Sequence, residues 1–524
     1  MTNVSAVRAL LVYALVLPAA LFLGFMVATP TDTSSMIITG VVIMALSLPL
    51  LLKWHHPMLF LFWNMTAVAF FLPGSPELWL IVAFVSLGFA LVERALSKEM
   101  RFIPALSITM PVIFLVAVVL ITAQFTGGIG FRALGGQTVG GKAYLFIIGA
   151  AVGFWAMTAH KIPTDKALLY TGLFFLGSLA NAMSTLIPYG PRELYPLAWL
   201  FPVTSLDLSP LRAEANVAVG FNEGITRFFG LTMACLGIFC FLLARYGLAP
   251  MLKLRGLPKL LLLSVVALLA AGGGFRSGVI FLAMVFFLVF YFEGLLRSKY
   301  TFALVLLMIL TGALLVPLAN KLPLSVQRTL SILPLEVDPV ARLEAEASTK
   351  WRIDMWHTVL PLVPEHFWFG KGLAVSGVDL ALTAELAKRG FVSSQETSML
   401  AGNYHNGPLT VLIPFGVWGA IGWLWFLGAS FRALYLNYKY GSEPLRRINT
   451  LLLAYFLART IVFLFIFGDM RNDFAIFAGA VGLSIALNGG IQSRKKVAAS
   501  EAPALEEDYV APASTAPSFS KSLG

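Results

Sequence analysis

Residues 405–430 read HNGPLTVLIPFGVWGAIGWLWFLGAS. A short polar turn runs straight into an apolar stretch with no Asp, Glu, Lys or Arg. A run of that length and composition reads as a membrane-spanning helix. Pro408 suits a first helical turn, which makes Asn406 or Gly407 the N-cap and leaves His405 just outside the span. One stretch therefore predicts both a helix in lipid and polar chemistry at its mouth.

The rest of the chain extends that reading. It is 58% hydrophobic and 12% charged, with a mean hydropathy of +0.84. A soluble core cannot use that much apolar surface. The net charge of +11 would suit nucleic acid, but Lys and Arg gather in short connections between apolar runs, as in cytoplasmic loops of membrane proteins. Nucleic acid is set aside as a partner; membrane lipid takes its place. The first thirty residues continue directly into further spans and read as a membrane helix, not a cleaved signal. Cys235 and Cys240 share one apolar run at a spacing unsuited to a disulfide or a shared metal, and read as packing residues.

The apolar runs predict an all-α fold, a polytopic transmembrane helical bundle of about fourteen spans. These lie near 8–28, 36–52, 57–72, 77–95, 103–123, 143–159, 167–187, 227–245, 259–272, 277–294, 301–319, 407–432, 448–468 and 472–490. Connections alternate between a basic set (KWHHP, ERALSKEMR, HKIPTDK, RYGLAPMLKLRGLPK, LRSKY, FRALYLNYKYGSEPLRR, SRKK) and a less basic set. That alternation predicts that both termini are cytoplasmic. The division is 1–319 with helices one to eleven, a large periplasmic loop over 320–406, helices twelve to fourteen over 407–490, and a disordered cytoplasmic tail over 491–524. The long loop has helix punctuation of its own and predicts a small helical periplasmic cap. Asp338 and Pro339 start a helix reaching about Leu362, and a second starts at Ser376 and stops before Gly390.

Polar residues on the predicted outer side carry the chemistry. His405 at a helix N-terminus suits a general base beside an anion; a plain interfacial cap is the rival reading. Gly416, Gly419 and Gly422 are expected to admit a neighbouring helix. AGGGFRSGVIF, 271–281, is a tight turn with Arg276, read either as a phosphate fork or as an interfacial arginine. Arg352 and Trp356 share one face of the first cap helix. Arg132, Lys142, Arg192, Arg212, Arg227 and Arg471 add outer positive charge. Arg459 stands inside a span, in LAYFLARTIVFLF, where it acts in function or pairs with Asp469 or a carbonyl. No nucleotide loop, HExxH, CxxC or G-x-S-x-G occurs, and neither a metal nor another cofactor is expected.

His405–Asn406, nine residues, Gly416, two residues and Gly419 resemble the signature of bacterial O-antigen ligases. GFRSG is similar to that family's outer arginine turn. RIDMWHTVLPLVPEHFWFGKG is similar to its Arg, Trp and aromatic-Gly-x-Gly pattern in the large periplasmic loop. The likeness is best over about 270–425. It implies a metal-independent membrane glycosyltransferase of the bacterial inner membrane, acting at the periplasmic face. The donor would be a glycan on undecaprenyl pyrophosphate and the acceptor a glycan or lipid A-core hydroxyl. His405 would be the catalytic base, Arg276, Arg352 and Asn406 pyrophosphate contacts, and Trp356, Arg132, Arg471 and Arg459 supporting groups. The motifs are shared with polysaccharide polymerases of the same superfamily, which is the alternative. A polysaccharide flippase is the alternative of another class.

Overall fold

Hydrocarbon offers no water to a peptide group, so an apolar chain must satisfy its backbone within helices. The computed structural model describes residues 51–72, 74–97, 102–130, 138–202, 228–388 and 398–494, with positions 20, 24, 46 and 49. Among these residues nine helices are long and apolar enough to cross a membrane, and Gly141–Met157 and Arg276–Phe292 are shorter apolar helices. The named strands among them are Thr138–Val139 and Val375–Ser376, one antiparallel pair. Eleven of the expected spans thus have a helical counterpart. Nearly all of the expected spans 8–28 and 36–52, and the tail beyond 494, lie outside the described residues.

One expected connection is corrected. KWHHP, 53–57, lies within a continuous helix over 51–63, and the chain turns at 65–77, where Val68 bridges Glu77. The expected span 57–72 is therefore displaced toward the N-terminus. The histidines that looked solvated are buried among helices. His55 Nδ1 lies 2.9 Å from Ser86 Oγ, and His56 Nε2 donates to the Met157 carbonyl at 3.0 Å. Polar side chains with partners of this kind do not force a loop.

Contacts between elements mark two ends of the bundle. At one end, His55 on the 51–63 helix, Glu93 near the end of Leu78–Leu96 and His160 after Gly141–Met157 come together. There also Arg447 donates to the Arg245 carbonyl, and Glu293 accepts from the backbone of Leu248 and Ala249. At the other end the strand at Val375–Ser376 pairs with Thr138–Val139, and Arg276 reaches the cap helix. The last helix, Met470–Asn488, is the central one, with 78% of its apolar window buried. Lys299–Leu318 is peripheral, with 6% of its window buried, and its apolar sides suit lipid.

The helix Gly407–Tyr440 is broken. Pro414 lacks an N–H, and Gly416 adopts φ +62°, ψ −162°. Backbone groups freed this way need partners in a membrane protein. The chain supplies them from 367–372: Lys371 N–H donates to the Ile413 carbonyl at 3.0 Å, Gly372 N–H to Pro414 at 2.9 Å, and Val417 N–H to Phe367 at 2.7 Å. Gly370, at φ +70°, lies against the Pro414 backbone, where a Cβ would collide. Gly370 therefore serves backbone-to-backbone packing, while Gly372, at φ +73°, packs under the Thr126 and Tyr144 side chains. Gly416 belongs to the break itself, and Gly422 alone of the three expected contact glycines meets a neighbouring helix, at Phe114 and Leu115.

The cap follows its punctuation. Asp338 accepts from Val340 N–H at 2.8 Å and opens Pro339–Val359. Ser376 Oγ accepts from Asp379 N–H at 3.2 Å at the start of Gly377–Lys388. The first helix ends a turn earlier than expected, at Val359, where Pro361 follows.

Candidate active site beneath the cap helix

Residues four and seven apart share one stripe of a helix. On Pro339–Val359 this places Ala345, Thr349, Arg352 and Trp356 in line, spanning ~16 Å at the usual rise. Each has a partner that anchors a different part of the site.

At the near end, Arg276 opens its own helix and donates from Nη2 to the Ala345 carbonyl at 2.9 Å and to Thr349 Oγ1 at 3.3 Å. Its turn is braced from below by Arg328, which is buried, donates to the Gly274 carbonyl at 2.8 Å and sits 3.5 Å from Glu344. At the far end, Trp356 Nε1 donates to the Tyr404 carbonyl at 3.0 Å, holding the residue before His405. Tyr404 is buried with Met355, Val359 and Ile413 in a small cluster of their own. Burial pushes its hydroxyl up to about 12.

His405 takes a left-handed backbone, φ +49°. A non-glycine residue in that region is uncommon and is retained where its surroundings fix it. Asn403 Oδ1 accepts from its N–H at 3.2 Å. Its ring lies between Trp351 and Phe467, with both centroids at 5.0 Å. Nδ1 is buried and has no hydrogen-bond partner among the described residues. Burial, then the Arg352 guanidinium, lowers its pKa to about 4, with Asp469 acting the other way. The imidazole is therefore neutral near pH 7 and keeps a lone pair for a proton. Arg352 lies over the other aromatic edge of this nest, 5.9 Å from the Phe467 ring centre. Arg276, Arg352 and His405, distant in sequence, are thus arrayed along one helix stripe.

Residues 259–424 match the O-antigen ligase family model. The chain thus carries an O-antigen ligase-type region over those residues. No curated protein matches the chain. The ligase match contains Arg276, Arg352, Trp356, His405 and Asn406. Arg459 and Arg471 lie beyond its end.

The other expected site residues divide by their partners. Asn406 is the N-cap, its Oδ1 accepting from Leu409 N–H at 3.1 Å. With that donor taken and Pro408 lacking one, the first turn of the ligase-region helix is a poorer anion cradle than its sequence promised. Arg471 is brought to the site: it donates to both Asp469 oxygens, at 3.1 and 3.0 Å, and to the Ala401 carbonyl at 3.1 Å. It thereby ties the segment before His405 to the last helix. Arg459 is not brought to the imidazole. Its partner is Asp473, with Nε at 2.6 Å from Oδ1, neither Asp469 nor a carbonyl. Arg132 lies outside the described residues, as do Arg212 and Arg227.

An open cavity of about 660 Å³ adjoins the ligase-region arginine turn and is lined by Arg276, Arg342, Glu346, Thr349, Lys350 and Ile353. Arg328, Arg342, Lys350, Trp351 and Phe467 were not singled out from the sequence. Arg342, Lys350 and Trp351 stand ten, two and one residues before Arg352, off its stripe, so helical spacing did not mark them. For Phe467 and Arg328 there was no signal either, since tertiary contact alone brings them in.

Proposed function

We propose that the protein is a membrane glycosyltransferase that moves a glycan from undecaprenyl pyrophosphate to an acceptor hydroxyl, in the manner of an O-antigen ligase. The observation that carries this reading is the line of Arg276, Arg352 and His405 along one stripe of the cap helix. The acceptor oxygen attacks the anomeric carbon, the bond from that carbon to the pyrophosphate oxygen breaks, and the acceptor proton passes to the imidazole of His405. Undecaprenyl pyrophosphate departs with its charge held by the guanidinium groups of Arg276 and Arg352. The amide of Asn406 is the nearest further donor in sequence, and Arg471 steadies the approach to His405. The step as written balances without a metal, and Asp469, the carboxylate felt by His405, is engaged by Arg471.

The setting is the bacterial inner membrane, with the cap on the periplasmic side, which the alternation of basic connections along the sequence supports. A broken membrane helix is also found in transporters. Here the break at Gly416 is filled by the chain's own 367–372 backbone, which favours a fixed site over a moving one.

The test is transfer in vitro. Purified protein receives undecaprenyl-pyrophosphate-linked glycan and candidate acceptors, with His405→Ala, Arg276→Ala and Arg352→Ala alongside. Transfer by wild type and its loss in folded His405→Ala is the expected result. A lipid A-core acceptor identifies a ligase and a growing glycan a polymerase. Wild type that transfers nothing but carries the lipid-linked glycan across liposomes overturns the reading.

A further inference from the structure

The end of the bundle away from His405 holds a second cluster of chemically capable side chains. Gly141–Met157 begins at the cap, where a Cβ on Gly140 would meet the Leu373 carbonyl. Its seventeen residues then carry the chain ~25 Å away, to His160. There His160, Glu93 near the end of Leu78–Leu96, and His55 on the 51–63 helix present three ligand atoms all within 4.8 Å of one another.

The detailed geometry is that of a ligand set. His55 Nε2 is 3.5 Å from Glu93 Oε1, and His160 Nε2 is 3.2 Å from Glu93 Oε2. A tetrahedral zinc with bonds near 2.0–2.1 Å has ligand-to-ligand edges of about 3.3 Å. One carboxylate oxygen faces each imidazole, so an ion between the rings meets both. His160 Nε2 is buried and, despite the carboxylate beside it, makes no hydrogen bond among the described residues.

His55 has the outer support typical of a metal-bound imidazole. Its Nδ1 meets the fully buried Ser86 Oγ at 2.9 Å. Nδ1–H donating to that oxygen fixes the tautomer in which Nε2 keeps its lone pair. His56 is turned elsewhere, donating to the Met157 carbonyl, and is not a ligand.

We propose that His55, Glu93 and His160 bind one late first-row divalent metal ion, zinc by ligand type, which clamps three helices at the end opposite the transfer site. Two imidazoles and a carboxylate suit zinc over magnesium or calcium, which take oxygen ligands. Water completes the coordination. The ion is structural, and the transfer chemistry at His405 proceeds without it.

The sequence hid this site, because its ligands lie on two separate helices and after the end of a third, far apart in the chain. The test uses full-length protein purified in detergent through a tag without histidine. Metal content is measured by mass spectrometry, and the metal-stripped protein is titrated with zinc and with cobalt(II). The expected result is one zinc per chain, a chelator-reversible rise in melting temperature, and visible cobalt bands of a four-coordinate nitrogen–oxygen site. His160→Gln loses all three, whereas His405→Ala keeps them. Ser86→Ala weakens zinc by roughly 10- to 100-fold, the usual effect of removing such a support. No stoichiometric zinc and no cobalt bands in wild type overturn the proposal, as does zinc kept at wild-type level by His160→Gln. The cobalt spectrum of wild type decides the matter even where a variant fails to fold. A chelator that lowers the melting temperature while transfer continues in still-folded protein separates this site from the reaction.

Discussion

The indole N–H of Trp356 donates to the carbonyl of Tyr404 at 3.0 Å. That bond joins the cap helix to the residue immediately before His405, whose φ of +49° needs outside support. Trp356 therefore acts on the reaction through His405 and is a positioning residue. Trp356→Phe keeps an aromatic body and removes the donor. Loss of one such bond is expected to destabilise by about 1 kcal/mol. The expected kinetic signature is a fall in kcat larger than any rise in KM, since substrate contacts remain. Steady-state transfer assays with a thermal melt check it; a Phe variant with wild-type kcat beside an impaired Ala variant would assign Trp356 a packing role only.

The His405 pKa of about 4, against an ordinary 6.5, sets the direction of two pH effects. The base form is lost as pH falls through the folded value, so the acid limb of kcat/KM is expected near pH 4 and not near 6.5. Bound pyrophosphate brings negative charge to the ring, which moves the limb of kcat upward. Arg352 is one cause of the lowered value. Arg352→Ala should therefore move the kcat/KM limb toward neutral pH as well as reduce transfer by roughly 10²–10³, the usual loss for a donor to a developing charge. For stability the unfolded chain binds the proton more readily between about 6.5 and 4, so His405 adds stability above that window and loses it as pH falls. An acid limb that stays put in Arg352→Ala argues against their proximity.

How far the sequence could lead is seen in particular residues. Apolar length and charge alternation located the helices because hydrocarbon leaves the backbone few choices, and Asp338–Pro339 marked the cap helix through local capping chemistry. Arg276, Arg352 and His405 were legible because they stand in compact motifs. KWHHP was misread, since buried histidines with hydrogen-bond partners look like loop histidines in a string of letters. For Arg459 the sequence offered Asp469 or a carbonyl as a partner, yet Asp473 takes it, and pairing between helices is not encoded at any fixed spacing. The break at Gly416 was taken for a small-residue stripe, because a glycine gives the same letter for close packing and for positive φ.

Gly370 offers a direct test of that break. It adopts φ +70°, and a Cβ would meet the Pro414 backbone. Gly370→Ala is expected to cost about 1–3 kcal/mol in backbone strain alone, with the steric collision added. The FGKG segment would then separate from the freed carbonyls of Ile413 and Pro414. A lower melting temperature and new hydrogen exchange at Lys371 and Gly372 are the readouts. A variant with wild-type melting and protection would show that these contacts do not hold the broken helix.

Arg459 is the residue for which structural and functional readings diverge most sharply. Its guanidinium pairs with Asp473, whose side chain is 1% exposed against 20% for the arginine. The other Asp473 oxygen accepts from Asp469 N–H at 2.8 Å, and Asp469 in turn holds Arg471. A chain of contacts therefore runs from the membrane helix to the segment beside His405. Removing one member of a buried pair strands the other, at a cost of about 3–5 kcal/mol. Asp473→Asn is expected toward the lower end of that range, because Arg459 is not fully enclosed and the amide oxygen can still accept from Asp469. Arg459→Met combined with Asp473→Asn removes both charges and should recover much of the loss in a detergent melt. Transfer near wild-type level in that double variant makes the pair a structural brace. A folded double variant without transfer would instead place Arg459 among the functional residues.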